Sequence, residues 1–378
     1  MEYYLDLDVD VFDWNNDNET FTDEETNKLI SYCHLDCITT YKMYLLTIGD
    51  TDNPVYKDNN QVQIRLDIIE EFNIPCMNFS NSKIGDEIIK KFYCEEKGIG
   101  YHDLPKKGMF RKKVHLKHSI PSYIKFETPQ LNKLLEEIRK TSLSQDEDYT
   151  NQFNFYGETY TLAKGGLHSK SKNKIYSSDD EYVIIDADVS GYYVVTCIER
   201  GYYPYHLGKE FLKGYKRIYD KRIELKPQAK TDKRIKGIVQ GLKEAGVSVY
   251  GKSSDMQSWL FDKQMTLNVC ISGELSLLML IEQNELIGNK CIMANTDGAT
   301  FLVKRTDMKT FDKICKDWCE MTNYELEFQE FKKMWFKNVN MYIGLKSDNT
   351  VKKKGDTFLT EFEIFKDKSN KVLSLALE

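Results

Sequence analysis

Apolar residues recur along much of this chain at the spacing of amphipathic helices. Apolar positions three and four apart predict a helix that begins near Thr22, a suitable N-cap, and runs through Tyr41. The same spacing predicts four further helices, over 128–140, 207–226, 233–249 and 264–285. Polar stretches at 49–60 and 141–152 are expected to be a loop and a linker.

A second pattern, of short continuous apolar runs, predicts buried strands. Val183-Ile184-Ile185 is such a run and leads directly into Asp186-Ala187-Asp188. Further along, the apolar runs 291–294 and 299–303 flank Asn295-Thr296-Asp297-Gly298, which is a strong hairpin signal. If these strands pair in one sheet, the carboxylates of Asp188 and Asp297 converge.

Composition and charge add a local basic element to this picture. The 378 residues are 41% hydrophobic and 30% charged, enough for a real core and more than one domain. The net charge is -6, yet residues 209–244 carry 12 Lys or Arg against 5 Asp or Glu. Such an element favours phosphate contact, because charges act within about 8–10 Å. A solvated helical face is the alternative interpretation.

The cysteines and the apolar runs indicate the compartment. The nine Cys form no CxxC pair, and Cys33/Cys37 and Cys315/Cys319 each lack the second pair of a zinc finger. Free thiols in a reducing compartment are expected. Since the sequence shows neither a signal peptide nor an apolar run of 18 residues, we expect an intracellular protein without a membrane partner.

Asp188 and Asp297 are the candidate catalytic residues. Nucleotidyl transfer uses two Mg²⁺ ions, roughly 3.5–4 Å apart, that clamp the attacking and leaving oxygens. Mg²⁺ takes oxygen ligands, commonly one or two carboxylates plus substrate phosphates. Two carboxylates on neighbouring strands are therefore the minimum that a protein must supply. Taken singly, each Asp is also an ordinary strand-end or turn residue.

Cationic side chains between the two acids could bind a triphosphate. Lys243 and Tyr250 are seven residues apart, so they share a helix face. Arg222 and Lys226 are four apart and also share a face. Forked and point cations suit phosphate oxygens, although the same residues could serve only surface solubility.

In chain order these residues resemble the three motifs of family B DNA polymerases, especially those of phages. Asp188 to Tyr193 is similar to motif A (D-x-x-S-L-Y-P). Lys243 to Gly251 is similar to motif B (K-x-x-x-N-S-x-Y-G), and Asn295 to Gly298 to motif C in its N-T-D-G form. Three weaker likenesses flank them: Tyr160 to Ser169 with the Y-x-G-G region, Lys352 to Gly355 with the primer-end element, and Tyr32 to Asp36 with the third proofreading motif.

The resemblance implies a role for each matched position. Asp188 and Asp297 would ligate both Mg²⁺ ions, assisted by the Val189 carbonyl. The incoming nucleotide would contact Tyr193, which would exclude a 2′-hydroxyl, and also Arg222, Lys226, Lys243, Tyr250 and Gly251. The DNA would contact Gly165, Gly166, Lys352, Lys354 and Gly355.

Several positions depart from the family pattern and limit the activities that the resemblance implies. Val247 replaces the motif B Asn, Asn295 replaces the first motif C carboxylate, and Val194 replaces Pro. The first two exonuclease motifs have no room before Tyr32, so Tyr32 and Asp36 are expected to be a remnant without proofreading. The sequence stops soon after the primer-end element, so no thumb is expected.

The implied fold class is α+β, an antiparallel-sheet polymerase palm with a helical-hairpin fingers insertion and an N-terminal exonuclease-domain remnant. The expected domains are 1–50 (exonuclease remnant), 51–150 (connecting region), 151–206 (first part of the palm), 207–262 (fingers) and 263–378 (second part of the palm).

The implied function is DNA-directed DNA synthesis in replication, by addition of deoxynucleotides to a primer 3′-end. The expected partners are primer-template DNA, deoxynucleoside triphosphates and either a second polymerase fragment or a terminal protein, in the cytoplasm of a host cell. The main alternative is an inactive or split fragment that binds nucleic acid and needs a complementing chain. Reverse transcriptase and RNA polymerase palms are less similar, because they lack the Lys-to-Tyr-Gly helix between the two Asp motifs.

Overall fold

The computed structural model describes residues 21–52, 57 and 59–355. Contacts divide the chain into two compact units. The first contains the described residues of Met1–Met77 and Gly355–Glu378 together with Asp232–Ile238, and the second contains Asn78–Thr231 and Val239–Lys354. The domain boundaries expected from the resemblance remain a prediction.

The first unit contains two helices, α1 (Asp23–Ile48) and α2 (Gln61–Phe72). The start of α1 is the predicted one: Thr22 Oγ1 accepts from Glu25 N at 3.2 Å, and the Glu25 carboxylate accepts from Thr22 N at 2.8 Å. This reciprocal capping box satisfies two N–H groups that the first helical turn leaves free. Gly49 ends α1 at φ 76°, a left-handed conformation that favours glycine.

Most helices of the second unit follow the predicted periodicity. They are α3 (Asn81–Lys97), α4 (Pro129–Lys140), α5 (Tyr192–Arg200), α6 (Lys209–Leu225), α7 (Lys233–Ser253, which starts in the first unit), α8 (Lys263–Leu286) and α9 (Met308–Thr322). The predicted helices 128–140, 207–226, 233–249 and 264–285 are confirmed as α4, α6, α7 and α8, with α7 continuing four residues further.

A ten-stranded antiparallel sheet forms the other half of this unit. Its strands are β3 (Thr150–Phe155), β4 (Glu158–Ala163), β5 (Leu167–Ser169), β6 (Lys174–Ser177), β7 (Tyr182–Val189), β8 (Lys290–Thr296), β9 (Gly298–Lys304), β10 (Leu326–Asn338), β11 (Met341–Lys346) and β12 (Val351–Lys354). The order is β12-β11-β10-β7-β9-β8-β5-β4-β3, and β6 also pairs with β10. Helices and an antiparallel sheet in one unit agree with the α+β prediction.

The predicted linker at 141–152 is wrong. Ser142–Ser144 forms β2, which pairs with β1 (Lys113–His115), and Thr150 begins β3. β2 and β3 contain few apolar residues, so hydrophobic periodicity does not predict them. Backbone hydrogen bonds to the neighbouring strands determine their structure.

Helix α8 fills the core of this unit. Asp262 caps it by accepting from Gln264 N at 3.0 Å and Met265 N at 3.3 Å. It is long and apolar enough to cross a membrane by length and composition, but 89% of its apolar window is buried inside the protein. A core helix shows the same features.

Helices α6 and α7 both pack on α3, an element that sequence periodicity did not predict. A Cβ on Gly85 of α3 would lie 2.8 Å from the Glu244 backbone, and one on Gly214 of α6 would lie 3.1 Å from the Phe92 backbone. Tyr215 also donates a 2.5 Å hydrogen bond to the carbonyl of Gly246. These close approaches fix the part of α7 that carries the motif B-like residues.

Candidate active site

Asp188 and Asp297 lie at the ends of adjacent strands. In the β7–β9 register Asp188 pairs with Gly298, and the N–H of Val189 donates to the carbonyl of Asp297 at 2.8 Å. The expectation that both strands belong to one sheet is therefore confirmed. The two acidic residues therefore lie at the same end of these neighbouring strands.

Gly298 is required by this geometry. A Cβ at Gly298 would lie 1.9 Å from Oδ1 of Asp188 and 3.1 Å from the carbonyl of Ala187. The Asp188 carboxylate thus lies over a position where any side chain would displace it.

The turn that carries Asp297 has a strained backbone and packs on the turn between β4 and β5. Thr296, a β-branched residue, has φ 61°. Its hydroxyl donates to the carbonyl of Gly165 at 3.1 Å, and a Cβ on Gly166 would lie 2.8 Å from the Thr296 Cα. Gly166 therefore allows the close approach that holds this turn, whereas a Cβ on Gly165 would make only an ordinary contact, 3.6 Å from the His168 ring.

The pKa values of both carboxylates are raised. Burial raises the pKa of Asp188 to about 6, with a further contribution from the negative charge of Asp186, and the Lys352 ammonium opposes the rise. Burial is also the main cause of the raised pKa of Asp297. Repulsion between close acids is relieved by cations, so this edge is suited to binding them.

Asp186 is a site residue that sequence reasoning missed. It is 2% exposed, and its carboxylate accepts from Thr300 Oγ1 at 2.6 Å and from Lys352 Nζ at 3.2 Å. The same ammonium lies 4.0 Å from Asp188 Oδ2. The available signal was the i, i+2 spacing of Asp186 and Asp188, which places both on one face of a strand.

Lys352 and Lys354 lie on β12, and the charges of Asp186 and Asp188 act on the pKa of each ammonium group. The acidic groups Asp186 and Asp188 raise the pKa of Lys352 despite its partial burial. Burial, together with the neighbouring ammonium of Lys352, lowers the pKa of Lys354. Gly355 follows at φ 117°, a backbone conformation that only glycine adopts readily.

The side-chain amide of Asn295 bonds to a neighbouring turn. Its amide donates to the carbonyl of Val339 at 3.1 Å, so it ties the hairpin to the β10–β11 turn. In the described part of the chain, no group of three or more His, Cys, Asp and Glu side chains is arranged to hold a metal ion. Any ion at this edge would depend on the carboxylate pair and on ligands from a substrate, which is how Mg²⁺ is often held.

An aromatic pair lies next to the acids. The rings of Tyr193 and Tyr250 stack with centroids 4.2 Å apart and an interplanar angle of 11°. The Tyr250 hydroxyl donates to the carbonyl of Lys164, the residue before Gly165. Helix α7 is thereby joined both to the start of α5 and to the turn that supports Asp297.

Two residues of α8 complete this junction, and neither was expected. Cys270 Sγ donates to the carbonyl of Ala163 at 3.1 Å, and Glu274 Oε1 accepts from the Ala163 N–H at 2.9 Å. Glu274 is fully buried, and its Oε2 has no partner among the described residues. Burial raises the pKa of Glu274 well above its usual range.

Among the described residues, no contact connects the other predicted site residues to this cluster. Lys243 and Gly251 are exposed on α7, and Lys226 is exposed at the end of α6. Arg222 has a buried Nε without a partner in the described part of the chain. Tyr32 and Asp36 lie on α1, in the first unit.

All nine cysteines are free thiols, as predicted.

Comparisons with known proteins find likenesses to solved structures and none at the level of sequence. No protein-family model matches the chain, and no curated protein matches it. One solved structure that it resembles is the family B DNA polymerase from the hyperthermophilic archaeon Pyrobaculum calidifontis. The identity is 12% and the TM-score 0.47, over 94% of this chain and 44% of that one. The chain thus spans less than half the length of that polymerase, and the likeness is a distant structural relationship.

Proposed function

We propose that this protein is a DNA-directed DNA polymerase of the family B type, which extends a primer 3′-end by two-metal phosphoryl transfer. The observation that carries the proposal is the pairing of Asp188 with Gly298 and the 2.8 Å hydrogen bond from Val189 N to Asp297 O. These contacts bring two carboxylates together on rigid strands, the minimum that this chemistry requires.

The donor set fits two Mg²⁺ ions only when substrate phosphates share the ligation. Asp188, Asp297 and the Val189 carbonyl would supply the protein oxygens, and Asn295 would supply none. When bound, the ions would activate the primer 3′-oxygen and neutralise the leaving pyrophosphate. The raised pKa values of both acids support this role, because bound cations would favour the ionised forms.

The surrounding residues would orient the nucleotide. Tyr193, stacked on Tyr250, would lie beneath the sugar and leave no space for a 2′-hydroxyl. Lys243 lies two helical turns before Tyr250, about 10 Å along α7, and would reach the triphosphate with Arg222 and Lys226. Gly251 has open space around it, which leaves room for the nascent base pair.

The primer-template would follow the edge of the sheet on either side of the acids. Lys352, Lys354 and Gly355 would contact the primer end, and Gly165 and Gly166 the template strand. Lys352, which is ion-paired with Asp186 at 3.2 Å, would donate to a phosphate oxygen of the primer.

Four primer-templates that differ only in the first unpaired template base test this function. The purified chain with Mg²⁺ should add to each primer the deoxynucleotide complementary to that base. Addition without regard to the template would contradict the proposal. Tight binding of all four substrates without extension would favour the alternative, an inactive or split fragment that needs a complementing chain.

A further inference from the structure

A tight turn, residues 163–166, joins β4 to β5 and lies between two parts of the proposed active site. The carbonyl of Lys164 accepts a hydrogen bond from the hydroxyl of Tyr250 on α7. The carbonyl of Gly165 accepts from the hydroxyl of Thr296 at 3.1 Å. A shift of this turn would therefore act on both Tyr250 and the β8–β9 hairpin.

The pairing between β4 and β5 ends before this turn. β5 pairs with β4 at Tyr160 and Thr161, and within the described residues this pairing stops two residues before Ala163. The carbonyl of Thr159 points to β5 and accepts from Lys170 N at 2.9 Å. Because alternate residues of a strand point the same way, the N–H and carbonyl of Ala163 also face that side and need other partners there.

Two side chains of α8 supply those partners. Cys270 Sγ donates to the Ala163 carbonyl at 3.1 Å, and Glu274 Oε1 accepts from the Ala163 N–H at 2.9 Å. Both side chains are buried, Cys270 at 2% and Glu274 at 0% exposure. Gly273 lets α8 lie close to the start of α5, because a Cβ there would be 2.0 Å from the Tyr192 hydroxyl oxygen. The end of β4 is thus bonded to a core helix.

Glu274 differs from the other buried acid near the end of α8. Its Oε2 is shielded from solvent and has no partner among the described residues, which costs free energy. Glu282, about two helical turns further, is equally buried but uses both oxygens. They accept from Glu127 N at 3.0 Å and from Thr128 N at 2.8 Å, at the start of α4. Glu282 therefore serves α4, whereas Glu274 serves the turn beside the acids.

We propose that Glu274 and Cys270 are positioning residues of the reaction, which hold the turn 163–166 so that Tyr250 and Asp297 keep their places. The inference rests on the proposed function, because it takes the nucleotide and the metal ions to be bound at these two residues. Neither α8 side chain would touch the substrate. Loss of either contact would let the turn shift, and a shift of about 1 Å at a reacting centre can lower a rate about a hundredfold.

Hydrogen exchange of the full chain tests the positioning without requiring activity. Glu274→Leu should accelerate amide exchange at 163–166 and at 295–298 by about tenfold, the effect of one lost hydrogen bond. Exchange in β11 should stay unchanged. Glu282→Leu removes an equally buried acid from the same helix and should leave both turns as they are. Unchanged exchange at 295–298 in Glu274→Leu, or an equal acceleration in Glu282→Leu, would overturn the proposal.

Cys270 gives a second and milder test. Cys270→Val removes the donor and should lower kcat for extension about tenfold with little change in KM, whereas Cys270→Ser keeps a donor and should extend at the wild-type rate. Equal kcat values for these two variants would refute the role of Cys270. If Glu274→Leu does not fold, exchange at 295–298 in Cys270→Val decides the question. Templated extension by the wild-type chain separately decides the proposed function, so the two can fail independently.

Discussion

Gly298 lies directly under the carboxylate of Asp188, with 1.9 Å between Asp188 Oδ1 and the place where a Cβ would stand. Gly298→Ala should therefore displace Asp188 without removing any functional group. A displacement of about 1 Å at a reacting centre can lower a rate about a hundredfold. Single-nucleotide incorporation should fall by that order.

Gly100→Ala is a matched control, since its nearest neighbour would be the flexible Asp103 side chain at 3.1 Å. This variant should extend primers at the wild-type rate. Normal incorporation by Gly298→Ala would show that the position of Asp188 is not critical.

Asp188→Asn should stabilise the metal-free protein at neutral pH while it abolishes extension. The folded pKa of about 6 lies above the usual 3.8, so the folded state binds the proton more tightly than the unfolded state. Stability from this group is present at low pH and is lost as the pH rises through about 6. Because the side chain is half exposed, solvent screening limits the gain to about 1 kcal/mol. Thermal unfolding in a chelator at pH 5 and pH 8 measures it, and equal stability of the two proteins at pH 8 would contradict it.

Glu274→Gln should raise stability at alkaline pH more than at acidic pH. Glu274 is buried and its pKa is raised, so its contribution to stability is lost as the pH rises and the unfolded state ionises. Gln keeps the acceptor for the Ala163 N–H and does not titrate. Glu274→Leu removes that acceptor and should be less stable than wild type at acidic pH, where Glu274 is neutral in the folded and unfolded states alike. A pH-independent difference between Glu274→Gln and wild type would show that the carboxyl does not titrate on unfolding.

Tyr193→Val should weaken discrimination against ribonucleotides by about two orders of magnitude, or about 2.7 kcal/mol in the transition state. The smaller side chain would leave space for a 2′-hydroxyl beneath the sugar. The ratio of kcat/KM for deoxynucleotide and ribonucleotide measures the effect. Tyr250→Phe keeps the ring stack but loses the hydrogen bond to Lys164, so its ratio should stay near wild type. An unchanged ratio in Tyr193→Val would remove this residue from sugar selection.

The convergence of Asp188 and Asp297 could be predicted because each lies where an apolar run meets a turn signal. The β7–β9 register, in which Asp188 pairs with Gly298, does not follow from these runs, because residues on both faces of the two strands are buried. Local pattern was sufficient for these elements.

Other parts of the site depend on contacts that no local pattern encodes. Lys352 reaches Asp186 across 166 residues of sequence. Glu274 lies on a helix where an acidic residue would ordinarily indicate a solvated face, yet it is fully buried. Strand β3 is polar at the edge of the sheet, so its pairing with β4 decided its structure.

Single-turnover incorporation of one deoxynucleotide by wild type and Asp297→Asn tests the central claim most directly. Asn keeps the size of the side chain but removes one of the two charges that would hold the metal ions. With Mg²⁺ and saturating primer-template, the variant should lose at least about three orders of magnitude in rate, or about 4 kcal/mol of transition-state stabilisation. Incorporation by Asp297→Asn at the wild-type rate would contradict the assignment of Asp188 and Asp297 as the catalytic pair.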